Sequence, residues 1–403
     1  MKFFKFCSRW ILCFMLILFS CRGPMDSPVA ETGHFREVLG EGIFSFNDLK
    51  SSLLSVYPTM DITSLDNIIR LVDILDTTLK VQSTAISYTT KDPNGSEILA
   101  SGLIMRPADR KSKGVLHFFP SAKIDKGKAG SEILLTFEGL LSFFGYTVIV
   151  SDLVGYGVSS YAEYPFLFSE NTGLVAYDMH LAAAEYFRSE GISFSNKVTI
   201  GGYSMGGMGV VSLHRHIEQY DTAGLIVESS YPGGGVYDLG MALDILTKTR
   251  YCTFPFIPYM YVAMEYWYGL DLNYSQVFID PLLSNMDDWL SRKYLAHEMR
   301  EFIGPDLTTY MHPDLFTDQK NESLSKVDSC LRLHSVLDGW VPRAPMTIIH
   351  TEDDTMAPFQ TAERMYETFK GKGGNVTLIR GKGDHFNYGF EYYITMLLYL
   401  LLK

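Results

Sequence analysis

Ser204 stands between two glycines in Gly202-Tyr-Ser-Met-Gly206, directly after the β-branched run Val198-Thr-Ile200 and ahead of a helical segment. A serine at a sharp strand-to-helix turn is held in a strained backbone conformation, and side chains larger than hydrogen on either side would collide there. The hydroxyl is thereby exposed at the positive end of the following helix. A hydroxyl is a weak nucleophile at neutral pH and needs a base to take its proton. Two downstream segments supply such a base and a partner for it. Val376-Thr-Leu-Ile-Arg380 reads as a buried strand and ends in Gly-Lys-Gly-Asp-His385, which puts a histidine on a glycine-rich loop. Met346-Thr-Ile-Ile-His350 reads as another and runs into Thr-Glu-Asp-Asp-Thr-Met-Ala-Pro358, a turn with three consecutive carboxylates. Neutral His385 can accept the serine proton and pass it on, and the imidazolium formed midway needs a fixed anion beside it. Glu352, Asp353, Asp354 and, at the end of an earlier strand, Glu228 are the candidates for that anion.

The chain order of serine, acid and histidine resembles that of the α/β-hydrolase family, over roughly residues 81–403. The resemblance implies a mostly parallel sheet with helices on both faces and an inserted helical cap. It also selects the acid. Family members often place a proline four residues after it, and Asp354-Thr-Met-Ala-Pro358 fits that spacing. The amide of Met205 becomes one donor to the developing oxyanion. The second normally comes from a His-Gly loop after the third strand, but this chain has Pro120-Ser121 in Phe119-Pro-Ser-Ala122. Proline carries no amide proton, so Ser121 or Ala122 must donate, and Ala122 is taken here. The hairpin end Ala100-Ser-Gly-Leu-Ile-Met-Arg-Pro107, the run Asp152-Leu-Val-Gly-Tyr-Gly157 and Gly233-Gly-Gly-Val-Tyr-Asp-Leu239 narrow the resemblance to secretory-lipase-like and acyl-esterase members. Such proteins cleave carboxylic esters without a cofactor. In the Asp152 run, the glycines and the aspartate suit tight-turn geometry, with Asp152 bonding local amides.

The elements that must position these residues are legible in outline. Residues 44–80 show helical spacing around Phe46-Asn-Asp-Leu49 and Leu65-Asp-Asn-Ile-Ile-Arg-Leu-Val72, which predicts two short helices. Val81–Thr90 and Ile98–Met105 flank Asp92-Pro-Asn-Gly95, a hairpin signal. Residues 114–119, 146–151, 197–200, 223–228, 346–350 and 376–380 read as buried strands separated by helical segments, including a long helix over 171–190. The apolar stretch Tyr388–Leu402 reads as a final helix packed on the sheet. The resulting division is a signal segment (1–20), a flexible tether (21–43), a core in two parts (44–228 and 345–403) and a helical cap (229–344). Within the cap, Tyr251–Tyr268 holds eight aromatics, with Pro255 and Pro258 breaking any continuous helix. These rings form either the wall of an acyl pocket or the cap's own core.

At the start of the chain, Lys2, Lys5 and Arg9 precede an apolar run, Trp10–Phe19, that is too short for a membrane span, and Ser20-Cys21 follows. This resembles a bacterial lipoprotein signal, which makes Cys21 the lipid-bearing residue and places the protein in the cell envelope, anchored to a membrane through that lipid. Loss of residues 1–20 removes three positive and no negative charges, taking the formal net charge from −12 to −15. Such a surface does not suit nucleic acid or anionic lipid headgroups. With Cys7 and Cys13 in the signal, Cys252 and Cys330 remain as either a disulfide or two buried thiols. Metal-ligand spacings are absent from the sequence, so the expected chemistry uses no metal. The reading is a serine hydrolase of small-molecule, glycan or lipid esters. A prolyl-oligopeptidase-type peptidase and a non-catalytic binding lipoprotein on the same fold are the alternatives.

Overall fold

The computed structural model describes residues 33–56 and 78–402. The basic and apolar start, Cys7, Cys13, Cys21 and the helix expected around Leu65 lie outside the described residues. Nine strands form one sheet: β1 (Phe35–Ser45), β2 (Lys80–Lys91), β3 (Glu97–Pro107), β4 (Val115–Phe119), β5 (Thr147–Asp152), β6 (Lys197–Tyr203), β7 (Ile226–Gly233), β8 (Met346–Thr351) and β9 (Val376–Gly381). They lie in the order β1-β2-β3-β5-β4-β6-β7-β8-β9. The first three pair antiparallel with one another and with β5, and every pairing from β5 to β9 is parallel. The turn between β2 and β3 is closed by Asp92, whose Oδ1 accepts from the amides of Asn94 and Ser96, while Gly95 adopts φ of 81°.

The parallel strands are apolar on both sides, and each side has its own cover. Leu103, Val148, Val150, Phe118 and Ile349 pack with Tyr392, Met396 and Leu397 of the helix His385–Leu401. Ile104, Ile149, Ile200 and Ile348 point the other way, to Val175 and Met179 of the helix Ser169–Ser189 and Val210 and Val211 of the helix Met205–Tyr220. This is the α/β-hydrolase arrangement. Because β4 lies between β5 and β6, successive strands are added on opposite sides of it, and the crevice outside the carboxyl ends of the strands at such a switch point is the place where these sheets bind ligands.

Four sequence expectations change. Residues 35–43, assigned to the tether, are strand β1, which pairs along its length with β2. Its apolar residues Val38, Leu39 and Ile43 stay exposed, so the backbone carries the pairing, and Glu41 accepts from Thr84 Oγ1 at 3.1 Å and Tyr186 OH at 3.2 Å. Strand β7 starts and ends later than 223–228, because Asp221 binds the amides of Ala223, Gly224 and Leu225 in a turn. The insertion therefore begins after Gly233 rather than at 229. It contains the helices Leu239–Thr249, Phe256–Tyr268, Leu282–Trp289, Ala296–Ile303 and Glu322–Leu333. Pro258 does not break the second of these, since it sits in the first turn, where its missing N–H has no partner to lose.

Among the described residues no helix is long and apolar enough to cross a membrane.

Candidate functional site

Ser204 follows β6 with φ 61° and ψ −126°, outside the ordinary regions for a side-chain-bearing residue. The turn is held by its neighbours. Its amide donates to the Gly233 carbonyl at the end of β7 at 2.9 Å, and the Gly202 amide donates to Tyr392 OH at 2.7 Å. A Cβ on Gly202 would stand 2.6 Å from the Gly206 carbonyl oxygen, and one on Gly206 would overlap the carbonyl oxygen of Phe119. Both glycines are thus required by the closeness of β4, β6 and the helix start. Met205 is the first residue of that helix, so its amide is one of the first-turn donors with no partner inside the helix.

His385 and Asp354 meet the serine. His385 Nε2 lies 2.9 Å from Ser204 Oγ, and its Nδ1 lies 2.6 Å from Asp354 Oδ2. A carboxylate only accepts, so Nδ1 carries the proton and Nε2 is free to accept from the serine hydroxyl. His385 opens the final helix rather than sitting in the loop. Asp384 caps that helix by accepting from the amides of Phe386 and Asn387, and Tyr203 OH donates to the His385 carbonyl at 2.7 Å. Asp354 is buried, and its Oδ1 accepts from the amides of Met356 and Ala357 at 2.9 and 2.8 Å. Burial alone would raise its pKa, but hydrogen bonds from His350 and His385 outweigh this and hold the carboxyl well below its usual range.

The neighbouring acids do other work. Asp353 accepts from the Gly383 amide at 3.0 Å, and Glu352 pairs with Arg380 and Lys382. They brace the loop that delivers His385 rather than capping the helix after Pro358, which has no side-chain cap. Glu228 is exposed near the start of β7, 3.8 Å from Lys197, at the opposite end of the strand from the serine. Asp152 reaches side chains more than local amides: Ser101 Oγ donates to it at 2.8 Å. Among the described residues no cluster of histidine, cysteine and acidic side chains could hold a metal ion. Cys252 and Cys330 are free, buried thiols, and burial pushes the Cys252 pKa up to about 12.

A cleft partly open to solvent lies over Ser204 and His385. Ala122 and Met205 line it beside the serine, while Ser121 is exposed with its hydroxyl 3.4 Å from the Tyr203 carbonyl. Phe166, Leu167, Val236, Phe254, Phe256 and Met356 form the rest of the wall. Two rings of the aromatic stretch, Phe254 and Phe256, therefore face the site. Others, such as Tyr261 and Trp267, join the core that the insertion shares with the sheet.

Several supporting residues are not among those the sequence singles out. His350, at the end of β8, donates from Nε2 to the Ala357 carbonyl at 2.9 Å and stands 3.4 Å from Asp354 Oδ2. Arg292 of the insertion is buried against the core. Its Nε donates to the Ile124 carbonyl at 3.1 Å, and its guanidinium lies 4.6 and 5.0 Å from the ring centres of Tyr156 and Tyr164. Tyr164 OH in turn contacts Met205 Sδ at 2.8 Å. Among the described residues no carboxylate pairs with this arginine. Only the position of His350, four residues before the acid, offered a sequence cue.

Residues 128–390 match the family model for secretory lipase. A comparison of the sequence with curated proteins gives no match. Solved structures share the fold at low identity. A candidate hydrolase from Legionella pneumophila superposes with a TM-score of 0.72 at 18% identity, over 90% of this chain and 97% of the other. The rice cell wall degrading esterase LipA from Xanthomonas oryzae gives 0.70 at 21%, over 89% and 94%. Candida antarctica lipase A gives 0.58 at 17%, over 76% and 73%.

Proposed function

Since the chain belongs to the secretory lipase family, we propose that this hydrolase cleaves carboxylic esters by a serine mechanism, with Ser204 as nucleophile, His385 as base and acid, and Asp354 as the fixed anion. The observation that carries this reading is the unbroken relay of 2.9 Å from serine to imidazole and 2.6 Å from imidazole to carboxylate. Ser204 Oγ attacks the acyl carbon as its proton passes to His385 Nε2. The carbonyl oxygen becomes an oxyanion, received by the amides of Met205 and Ala122. Collapse breaks the bond to the alcohol oxygen, which takes the proton from His385 and departs, leaving acyl-Ser204. Water then attacks with His385 again as base, the carboxylic acid leaves and Ser204 regains its proton. Asp354 stays ionised throughout, stabilising the imidazolium and fixing the tautomer. The same reading puts the enzyme in a bacterial envelope with a lipid on Cys21; its support is the N-terminal sequence.

The test is hydrolysis of p-nitrophenyl butyrate by the parent protein and by Ser204→Ala, with fluorophosphonate labelling of both. Turnover that falls by about 10³ or more in the variant, together with labelling that requires Ser204, is the expected result. An unlabelled, inactive parent protein would instead mark a binding protein.

A further inference from the structure

Given ester hydrolysis at Ser204, on which this inference rests, the oxyanion formed there needs two amides held at fixed positions, those of Met205 and Ala122. Met205 is held by the helix it begins. Ala122 has no such frame. Among the described residues, the one backbone–backbone hydrogen bond made from Ser121 to Lys128 leaves the sheet aside: the Lys126 amide donates to the Arg292 carbonyl at 2.7 Å. The same arginine meets the loop again through its side chain. Its Nε donates to the Ile124 carbonyl at 3.1 Å, and its guanidinium lies against the Tyr156 ring, whose hydroxyl donates to the Lys123 carbonyl. Main-chain groups of Lys123, Ile124 and Lys126, directly after Ala122, are thus held by Arg292 or by the ring it stacks on.

The guanidinium also reaches toward the other donor. It stands 5.0 Å from the ring centre of Tyr164, which meets Tyr156 edge to face with centroids 4.9 Å apart and contacts Met205 Sδ through its hydroxyl. The arginine itself is fixed. It is 3% exposed, both terminal nitrogens lie 3.4 Å from the Gly155 carbonyl oxygen, and its backbone holds φ of 66°, a left-handed conformation that its surroundings must enforce. A planar guanidinium can stack on two rings while it donates in its own plane, and an ammonium on a flexible stem cannot. Arg292 does not line the cleft over Ser204, so its influence on the reacting carbonyl passes through the loop and the two rings.

We infer that Arg292, a residue of the insertion, is the positioning residue of the oxyanion site, setting where the Ala122 amide points through its hold on residues 123–126. The experiment measures kcat and KM on p-nitrophenyl butyrate, the pH dependence of kcat, and inhibition by an alkyl trifluoromethyl ketone. It compares the whole parent protein with Arg292→Lys and Tyr156→Phe, using circular dichroism to check folding. The ketone adds to Ser204, and the charged oxygen of that adduct sits where the oxyanion forms, so it reports transition-state binding. In Arg292→Lys the charge remains but the fork is lost, and kcat should fall by about 10- to 100-fold, less than removal of a whole donor, with KM within about threefold. Ki for the ketone should rise by the same factor. The acid limb of the pH profile should stay in place, because the relay from Ser204 to Asp354 is untouched. Tyr156→Phe keeps the ring, removes only the hydroxyl on Lys123, and should lower kcat by about three- to tenfold with the same signature. A folded Arg292→Lys with kcat within about threefold of the parent overturns the assignment. So does a fall in kcat that leaves Ki unchanged or shifts the pH profile, since that loss arises elsewhere than at the oxyanion. Should Arg292→Lys not fold, Tyr156→Phe decides by the same readings, with about twofold as the limit. In all these cases the parent still turns over and the hydrolase reading stands; absence of turnover in the parent would overturn both.

Discussion

Replacing Asp354 by asparagine tests the relay at its most buried point, and the structure supplies the size of the effect. Oδ1 accepts two backbone amides, from Met356 and Ala357, and Oδ2 faces His385 Nδ1 and His350 Nε2. An asparagine that keeps its oxygen on the two amides turns its NH2 toward His385. Nδ1 must then accept, which moves the imidazole proton to Nε2, against the serine hydroxyl. That tautomer cannot take the serine proton. The opposite orientation sets the NH2 against two amide donors and leaves both unsatisfied, at about 1–3 kcal/mol each. The first orientation is therefore favoured, and kcat should fall by about 10⁴, the loss associated with the wrong tautomer in a serine relay. The assay is kcat on p-nitrophenyl butyrate at pH 7 to 8, with circular dichroism to confirm folding and Asp353→Asn beside it. The Asp353 variant loses one loop contact, to the Gly383 amide, and should stay within about tenfold of the parent, since it leaves the relay itself intact. If the Asp354 variant also stays within tenfold, the tautomer argument fails.

Two further perturbations probe the scaffold. Gly206→Ala drives a Cβ into the carbonyl oxygen of Phe119, a backbone atom that no rotamer change can move; displacing the loop that carries Ala122 should cut kcat by about 10² or more, and a value within threefold of the parent would refute it. His180 is fully buried with both ring nitrogens unpartnered, its ring 6.3 Å from that of His117, and burial lowers its pKa to about 4 against a slight opposing pull from Asp221. Below about pH 6.5 the unfolded chain binds a proton that the folded one refuses, so stability is lost as pH falls from there toward 4, by up to about 3 kcal/mol from this residue. His180→Phe should lose less Tm between pH 7 and pH 4.5 than the parent does; equal losses in the two proteins would remove His180 from the account.

Residues whose constraints are local were legible in the sequence. Gly202, Ser204 and Gly206 are fixed within five positions by one turn, and Asp354 and His385 each follow a short apolar strand at a fixed offset. The hairpin at Asp92–Gly95 was readable for the same reason. Where partners lie far along the chain, the signal disappeared. Strand β1 carries two glycines and two glutamates, and only its backbone pairing with β2 makes it a strand. Ser229 and Ser230 lie buried in the middle of β7, though their residue type favours loops. Arg292 meets Ile124 and Tyr156 across more than 130 residues, so no window of sequence around it hints that it is buried.

That arginine fastens the insertion to the core in an unusual way. Its charge is answered by carbonyl oxygens and two phenol rings, none of which gains a proton in acid. The Tyr156 hydroxyl itself has a pKa pushed up to about 12, chiefly by burial and only partly offset by the arginine. Exposed ion pairs of the same insertion, such as Lys293 with Asp288, are weakened by added salt and lost when the carboxylate is protonated. The Arg292 attachment depends on neither, so moving the protein from dilute neutral buffer to brine or mild acid alters the charge on the outside of the insertion while leaving this contact with the core intact.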